Sequence, residues 1–306
     1  MVGLSEWKGR DIITMREFDR KDIDEVHKRA DGFYEAAKQK KQLSVLRGKV
    51  MASLFFEPST RTQMSFDTAM ERLGGERIGF NDPQKSSVFK GETIADTMKM
   101  MEEYADVVVI RHPNEGAARI AAEASSVPVI NGGDGTNQHP TQALLDTYTI
   151  RRLKKRIDGL TVLLLGDLRY GRTIKSLAIA LSHYDVRLQL YSPPQLKLAP
   201  FVIDEVSKRI RVEELSSMDF SRADVIYATR VQKERFPDEE EARKYAYVID
   251  AEKMKTAKRD AILMHPLPRV GEIAPEIDGD SRAAYFEQAF NGVPVRMALL
   301  SMVLGK

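Results

Sequence analysis

The chain has 306 residues, enough for two domains of ordinary size, and 42% of them are hydrophobic, enough to fill both cores. Both signs of charge are mixed and the net charge is +2, so neither a nucleic acid nor a membrane is expected as a partner. The absence of cysteine excludes disulfides and thiolate chemistry. We find no signal-peptide pattern and no apolar run of membrane-spanning length, so we expect a cytoplasmic protein.

In the first half of the chain, short apolar runs alternate with helical stretches, which is typical of parallel α/β sheets. The apolar runs predict strands at residues 50–56, 107–111 and 127–130. The periodic stretches predict helices at residues 62–73, 93–104 and 115–124. After a glycine-rich bend, Pro140 stands where a helix can begin, and a helix over residues 141–156 is predicted to bridge two domains.

The second half of the chain repeats this alternation. Strands are predicted at residues 161–165, 187–191, 225–228 and 261–264, and helices at residues 174–184 and 291–304. The sequence therefore predicts an α/β fold of two domains, each a parallel sheet flanked by helices, joined by long helices and with an active site in the interdomain cleft. The predicted domains are residues 1–139 plus 291–306, and residues 140–290.

The loop after residue 165 contains two glycines, which raises the question of a dinucleotide-binding site. Gly166 and Gly171 are separated by four residues, however, and this spacing is not the G-x-G-x-x-G of such sites. No acidic residue is convincingly placed to bind a ribose. The sequence therefore disfavours a nucleotide-dependent oxidoreductase.

The most informative stretch is Ser59-Thr60-Arg61-Thr62, which follows a buried strand and opens a helix. The first turn of a helix has unpaired N–H groups and the positive end of the helix dipole, so it can bind an anion. The hydroxyl groups add donors, and the guanidinium of Arg61 matches phosphate oxygens. This stretch predicts an anion site.

Further polar residues follow the ends of other predicted strands. They are Arg111, His139 with Gln142, Arg172, Arg230 with Gln232, and the segment 265–269. Because the carboxyl ends of parallel strands lie at one edge of a sheet, these side chains can converge. Arg61 and Arg111 suit a phosphate with an adjacent carbonyl, and Arg172 and Arg230 suit two carboxylates. The pattern indicates a two-substrate transferase that needs neither a metal nor another cofactor.

Taken in this order, the motifs resemble those of the aspartate/ornithine carbamoyltransferase family, over essentially the whole chain. The resemblance rests on residues 59–62, 139–142 and 265–268. Within the family, residues 166–173 and 229–235 resemble the aspartate-specific members. Ornithine-specific members carry Cys-Leu-Pro near the last strand, where this chain has Pro266-Leu267-Pro268.

The resemblance implies transfer of the carbamoyl group from carbamoyl phosphate to L-aspartate, a step of pyrimidine synthesis. It assigns catalytic roles to Arg61, Thr62, Lys90, Arg111 and His139. It assigns carbamoyl phosphate binding to Ser59, Thr60, Arg61, Thr62, Ser86, Arg111, His139, Gln142, Pro266 and Leu267. It assigns aspartate binding to Lys90, Arg172, Arg230, Gln232 and Leu267. It also implies a cis peptide between Leu267 and Pro268.

Family members form catalytic homotrimers with shared active sites, so the resemblance places Ser86 and Lys90 in a loop that reaches a neighbouring subunit's site. The sequence leaves open whether a separate regulatory chain binds. Two other readings of the family remain: transfer to another amine such as ornithine, and a non-catalytic scaffold. Arg230 and Gln232 favour a carboxylate over a cationic substrate, and the intact set of site residues disfavours a scaffold.

Overall fold

The structure is a computed structural model that describes residues 6–80, 91–236 and 238–306. The chain divides into two compact units. Unit 1 comprises Met1–Leu145 and Phe290–Lys306, and unit 2 comprises Asp146–Ala289. Each unit contains one parallel sheet flanked by helices, which confirms the predicted fold class.

The sheet of unit 1 has four strands in the order β2-β1-β3-β4. They are β1 (Val50–Phe55), β2 (Glu76–Phe80), β3 (Val107–His112) and β4 (Val129–Asp134). Strand β2 was not predicted from the sequence. Its residues are mostly exposed, so it lacks the apolar run by which the buried strands were identified, and its place at the sheet edge comes from pairing with β1.

The helices of the first half are α1 (Arg20–Lys38), α2 (Thr60–Arg72), α3 (Ile94–Tyr104), α4 (Ala117–Ala124) and α5 (Pro140–Lys154). Helix α1 was also missed in the sequence. It begins with a capping box in which the Asp19 carboxylate accepts from the Asp22 N–H at 2.8 Å and the Asp22 carboxylate accepts from the Asp19 N–H at 3.3 Å. That pair of acidic residues, Asp19 and Asp22, was the sequence signal for the start of this helix.

The sheet of unit 2 has five parallel strands in the order β7-β6-β5-β8-β9. They are β5 (Thr161–Gly166), β6 (Arg187–Tyr191), β7 (Arg211–Glu214), β8 (Val225–Thr229) and β9 (Ile262–Met264). Side chains such as Leu163, Ile226 and Leu263 are completely buried in its core. Burying each one contributes roughly 1.5–3 kcal/mol to the stability of the unit.

The remaining helices are α6 (Arg172–Leu181), α7 (Pro200–Ser207), α8 (Glu239–Arg243), α9 (Ala251–Thr256) and α10 (Tyr285–Val303). Helix α10 begins at Tyr285, earlier than the predicted start at residue 291, and continues through Pro294. Both α5 and α10 cross the division between the units, so long helices join them as predicted. Within the described part of the chain, no helix has the length and apolarity needed to cross a bilayer.

Candidate active site

In unit 1, the predicted anion site lies where β1 ends and α2 begins. Ser59 is the N-cap residue of α2, but its side chain makes no capping hydrogen bond to the helix. The first backbone bond runs from the Gln63 N–H to the Ser59 carbonyl at 3.0 Å, so the N–H groups of the preceding turn have no acceptor within the helix. Thr62 is buried and Arg61 is exposed. A helix start of this geometry can bind an anion.

Arg111 lies at the same edge of the sheet, because it is the register partner of Phe55 at the end of β1. It is 9% exposed, and its Nη1 donates to the Gly132 carbonyl at 3.1 Å. Its Nη2 is 3.5 Å from a carboxylate oxygen of Glu57. The register therefore places a buried guanidinium at the edge of the sheet where α2 begins, as the sequence predicted.

The position of His139 depends on a buried carboxylate, that of Asp134, which the sequence analysis did not single out. Asp134 is 1% exposed and ends β4. It accepts four hydrogen bonds, at 2.8–3.0 Å, from the Gly116 N–H, Asn131 Nδ2, Asn137 Nδ2 and the Gln138 N–H. These bonds fix the bend that leads to His139. An aspartate inside a glycine-rich bend was the signal for this role.

Helix α5 begins directly after His139, whose carbonyl accepts from the Gln142 N–H at 3.0 Å. The side chains of His139 and Gln142 are largely buried, with 4% and 9% exposure. Arg296 of α10 donates to the Ser65 hydroxyl in α2 and approaches the Thr141 hydroxyl in α5 at 3.5 Å. Arg296 thereby connects the two helices that carry the site residues of unit 1, a role that the sequence analysis missed.

In unit 2, strands β5 and β8 come very close together at their carboxyl ends. Gly166 is the register partner of Thr229 and has a φ of +108°. A Cβ at Gly166 would lie 2.2 Å from the Thr229 carbonyl oxygen and 2.7 Å from the Tyr247 hydroxyl. Only glycine fits this position, and its loop is therefore held against the loop that carries Arg230.

Asp167 links these two loops. Its carboxylate is completely buried and accepts from the Tyr170 N–H at 3.0 Å and from the Gln232 N–H at 3.1 Å. Burial raises the pKa of Asp167 above its ordinary value, and the backbone N–H groups partly offset this effect. The bonds bring Arg172, Arg230 and Gln232 to one edge of the sheet of unit 2, as predicted from the sequence.

The guanidinium of Arg230 already binds a carboxylate of this chain. It forms a two-pronged ion pair with Glu234, in which Nη1 is 2.9 Å from Oε2 and Nη2 contacts Oε1. The hydrogen bond to Glu234 raises the pKa of Arg230, and the same bond lowers the pKa of Glu234. The geometry is the one in which arginine recognises a carboxylate, so Arg230 is suited to bind one on a substrate.

The turn after β9 contains Pro266 and Leu267. Leu267 has a φ of +52°, and its peptide bond to Pro268 is cis, which confirms the expectation from the family. The Leu267 N–H donates to His265 Nδ1 at 2.8 Å, and His265 Nε2 is 2.7 Å from Glu272 Oε1. Burial raises the pKa of Glu272, but the His265 contact and backbone N–H groups together outweigh burial, so the pKa lies below its usual value.

The structure thus brings together two sets of predicted site residues, one in each unit. Unit 1 holds Ser59, Thr60, Arg61, Thr62, Arg111, His139 and Gln142, and unit 2 holds Arg172, Arg230, Gln232, Pro266 and Leu267. Ser86 and Lys90 lie outside the described residues. Among the residues that are described, no group of three or more His, Asp or Glu side chains is arranged to hold a metal ion.

Comparison with known proteins supports the resemblance seen in the sequence. Residues 10–152 match the family model of the aspartate/ornithine carbamoyltransferase carbamoyl-P binding domain, and residues 158–303 match that of the Asp/Orn binding domain. The chain is 54% identical to an aspartate carbamoyltransferase catalytic subunit of Thermococcus kodakarensis, over 98% of each chain. It is also 54% identical to the one of Archaeoglobus fulgidus, over 96% of this chain and 99% of the relative.

Solved structures agree with these matches. Aspartate transcarbamoylase from Trypanosoma cruzi, in complex with carbamoyl phosphate and aspartate, superposes with a TM-score of 0.94 at 38% identity and 99% coverage of both chains. The catalytic subunit of the M. jannaschii enzyme gives a TM-score of 0.88 at 46% identity, over 96% of this chain and 98% of that one. The fold, the motifs and these matches agree: the chain belongs to the aspartate/ornithine carbamoyltransferase family.

Proposed function

We propose that the chain transfers the carbamoyl group of carbamoyl phosphate to the amine of L-aspartate, giving N-carbamoyl-L-aspartate and phosphate for pyrimidine biosynthesis. The observation that carries this proposal is the pair of arginines in unit 2, Arg172 and Arg230, on loops joined by Asp167. Two guanidinium groups suit the two carboxylates of aspartate, whereas the ammonium group of ornithine would be repelled. The related T. cruzi enzyme, which binds both proposed substrates, supports the same assignment.

In this proposal the start of α2 binds the phosphate. Ser59, Thr60, Arg61 and Thr62 supply backbone N–H groups, hydroxyl groups and one guanidinium, and Arg111 supplies a second guanidinium at the same sheet edge. The negative charge of the phosphate is favoured by the helix dipole and by both arginines. The phosphate is thereby held as the leaving group.

The carbamoyl group is proposed to lie between hydrogen-bond donors that face its carbonyl oxygen and acceptors that face its NH2 group. Thr62, Arg111 and His139 direct donors at the carbonyl oxygen, where negative charge develops during attack. Each well-placed donor lowers the barrier by roughly 3–4 kcal/mol. Gln142 and the carbonyl groups of Pro266 and Leu267 hold the carbamoyl NH2, which fixes the plane of the group.

Arg172, Arg230 and Gln232 are proposed to bind the aspartate carboxylates so that the amine faces the carbamoyl carbon. The Glu234 carboxylate, which pairs with Arg230 in this structure, would orient the guanidinium for the substrate. A new C–N bond forms as the C–O bond to phosphate breaks, and the departing phosphate accepts the proton released by the amine. Holding both substrates in line contributes several kcal/mol through a high effective concentration.

We also propose that the chain works in the cytoplasm as a homotrimer whose active sites draw Ser86 and Lys90 from a neighbouring subunit. The name catalytic subunit, given to the relatives, supports an assembly of several chains. Light scattering on the purified protein should then give three times the mass of one chain. A mixture of the inactive variants Lys90→Gln and His139→Ala, refolded together, should regain part of the activity, because some shared sites receive both intact residues.

The test of the proposed reaction offers aspartate and ornithine in parallel to the purified chain with carbamoyl phosphate. We expect carbamoyl-aspartate as the only carbamoylated amine, with phosphate released alongside it. Carbamoyl-ornithine would overturn the assignment of Arg172 and Arg230, and no product with either amine would favour the non-catalytic reading. As a control, N-(phosphonacetyl)-L-aspartic acid, bound by the T. cruzi enzyme, should inhibit competitively with carbamoyl phosphate.

A further inference from the structure

Four buried polar residues of unit 2 form a continuous network of hydrogen bonds beneath the proposed substrate loops. The network has two arms, which meet at Asp146. The Asp146 carboxylate accepts from Gln288 Nε2 at 2.7 Å and from the Tyr227 hydroxyl at 2.8 Å. Gln288 Oε1 accepts in turn from the His265 N–H at 2.8 Å. Each of the four residues is at most 1% exposed. None of them has a part in the reaction as described so far.

The side-chain amide of Gln288 gives the first arm of this network its direction. Its NH2 group donates to Asp146, which leaves its carbonyl oxygen to accept from the His265 N–H. The His265 backbone is thereby held at the end of β9, and His265 Nδ1 accepts from the Leu267 N–H at 2.8 Å. The arm therefore ends at the turn that contains Pro266 and Leu267.

The second arm runs from Asp146 through Tyr227 in β8. The Tyr227 oxygen also hydrogen-bonds the side chain of Thr173, which follows Arg172 in the first turn of α6. Burial raises the pKa of Tyr227 well above its ordinary value, with the charge of Asp146 adding to the effect, so the hydroxyl remains a donor to Asp146. This arm ends beside one of the arginines proposed to bind aspartate.

We propose that Asp146 is a positioning residue for carbamoyl transfer, holding the turn at residues 265–267 through Gln288 and the start of α6 through Tyr227. The inference rests on the proposed function, in which the Pro266 and Leu267 carbonyls hold the carbamoyl NH2 and Arg172 binds aspartate. A displacement of about 1 Å at a reacting centre can cost about a hundredfold in rate. A buried carboxylate that sets both contacts therefore affects catalysis without touching substrate.

The first test is Asp146→Asn, which keeps the shape of the side chain but places an NH2 group opposite one of the two donors. We expect kcat, counted per active site by titration with N-(phosphonacetyl)-L-aspartic acid, to fall roughly tenfold, with a rise in the KM for aspartate. Tyr227→Phe breaks the second arm and leaves the bonds of Gln288 to Asp146 and to the His265 N–H in place. It should raise the KM for aspartate while kcat changes by less than about twofold, because the Gln288 arm remains.

The second test exchanges the donor and the acceptor in the hydrogen bond between positions 146 and 288. In Asp146→Asn combined with Gln288→Glu, the new amide donates to the new carboxylate, whose other oxygen accepts from the His265 N–H. The new amide oxygen still accepts from Tyr227. We expect the double variant to recover most of the lost kcat, whereas Gln288→Glu alone places two carboxylates together and loses activity as the pH rises.

Asp224→Asn is the matched control for a purely structural role. The Asp224 carboxylate accepts from the Thr161 N–H at 2.8 Å and pairs with Lys258 at 2.6 Å, at the opposite edge of the same sheet. We expect this variant to have a lower Tm with unchanged kcat and KM. The same result for Asp146→Asn would overturn the proposal, as would a double variant that folds without recovering kcat.

These outcomes are separate from a failure of the proposed function. If the wild-type chain transfers no carbamoyl group to aspartate, the proposed function is wrong whatever the variants do. If the wild-type chain is active and Asp146→Asn does not fold, Tyr227→Phe and the double variant still decide. An unchanged KM for aspartate in Tyr227→Phe, together with an unrecovered kcat in the double variant, would overturn the role of Asp146.

Discussion

The Asp167 carboxylate accepts a hydrogen bond from the Gln232 N–H, 65 residues further along the chain, at 3.1 Å. Its other oxygen accepts from the Tyr170 N–H at 3.0 Å. A single buried side chain thus joins the loop after β5 to the loop after β8. Because the first loop leads directly into Arg172 at the start of α6 and the second carries Arg230, the spacing of the two guanidinium groups depends on Asp167.

Asp167→Asn should therefore weaken aspartate binding. The amide offers one good acceptor in place of two, and its NH2 group faces a backbone N–H, which costs about 1–3 kcal/mol. We expect the KM for aspartate to rise about tenfold or more, while the KM for carbamoyl phosphate stays within about twofold. Steady-state kinetics with each substrate varied in turn measure both constants.

Asp219→Asn is a suitable control for this change, because Asp219 accepts from the Ser221 N–H at 2.9 Å in an exposed turn of the same unit. It should leave both KM values unchanged. Equal effects on both substrates for Asp167→Asn would show that the bond supports the fold rather than the spacing of the arginines.

Gly166→Ala should destabilise the protein and disturb the same loops. The variant must adopt a positive φ and also place a Cβ 2.2 Å from the Thr229 carbonyl oxygen. The positive φ costs roughly 1–2 kcal/mol and the overpacking about 1–3 kcal/mol more. Thermal unfolding followed by circular dichroism measures the loss, and kinetics should show a higher KM for aspartate.

Gly159→Ala separates these two costs, since Gly159 has a φ of +76° and no atom within 4 Å of its added Cβ. Only the cost of the positive φ should remain, so its Tm should fall less than that of Gly166→Ala. Equal losses in the two variants would contradict the close approach of β5 and β8.

His139→Ala should lower kcat strongly and leave aspartate binding nearly intact. In the proposed reaction His139 donates to the carbonyl oxygen, and removal of one such donor lowers kcat by roughly 10²–10³-fold. Equilibrium binding of aspartate in the presence of phosphonoacetamide, a carbamoyl phosphate analogue, reports affinity separately from rate.

The control is His183→Ala, because His183 lies in unit 2 beside Arg209, at 3.2 Å. Its kcat should be that of the wild type. A loss of aspartate affinity with unchanged kcat in His139→Ala would assign His139 to substrate binding.

Asp106→Asn should change how stability depends on pH. Asp106 precedes β3, and its carboxylate pairs with Lys49 at 2.6 Å and accepts from the Val50 N–H at 2.9 Å. Burial raises the pKa of Asp106, but these two contacts outweigh it, so the pKa lies below the ordinary value of 3.8. The ionised group therefore stabilises the folded state above that pH, and the stabilisation is lost as the pH falls through the folded-state pKa.

The Tm difference between wild type and Asp106→Asn should accordingly be constant near neutral pH and shrink below about pH 4. Asp24→Asn removes a half-exposed ion pair with Arg20, 3.6 Å long, and should show a smaller difference at neutral pH. A Tm difference for Asp106→Asn that grows as the pH falls would contradict a lowered folded-state pKa of Asp106.

The sequence predicted the buried strands and six of the helices, because apolar runs and helical periodicity are local properties. It did not predict β2, β7, α1, α7, α8 or α9. In β2 the residues are exposed and the strand exists through pairing with β1, which is a contact between distant segments. The candidate residues were found from unusual polar groups at strand ends, together with the family resemblance.

The sequence by itself determined the alternation of strands and helices, the helix start at Ser59 where an anion site is predicted, and the arginines that follow the strands. Tertiary structure alone decided which buried carboxylates accept hydrogen bonds near these residues. They are Asp134 before His139, Asp167 between the loops after β5 and β8, and Asp146 next to Gln288. Composition cannot reveal such partners, because a buried carboxylate is specified by donors that lie far away in the chain. Those donors become neighbours only when the parallel strands align their carboxyl ends at one edge.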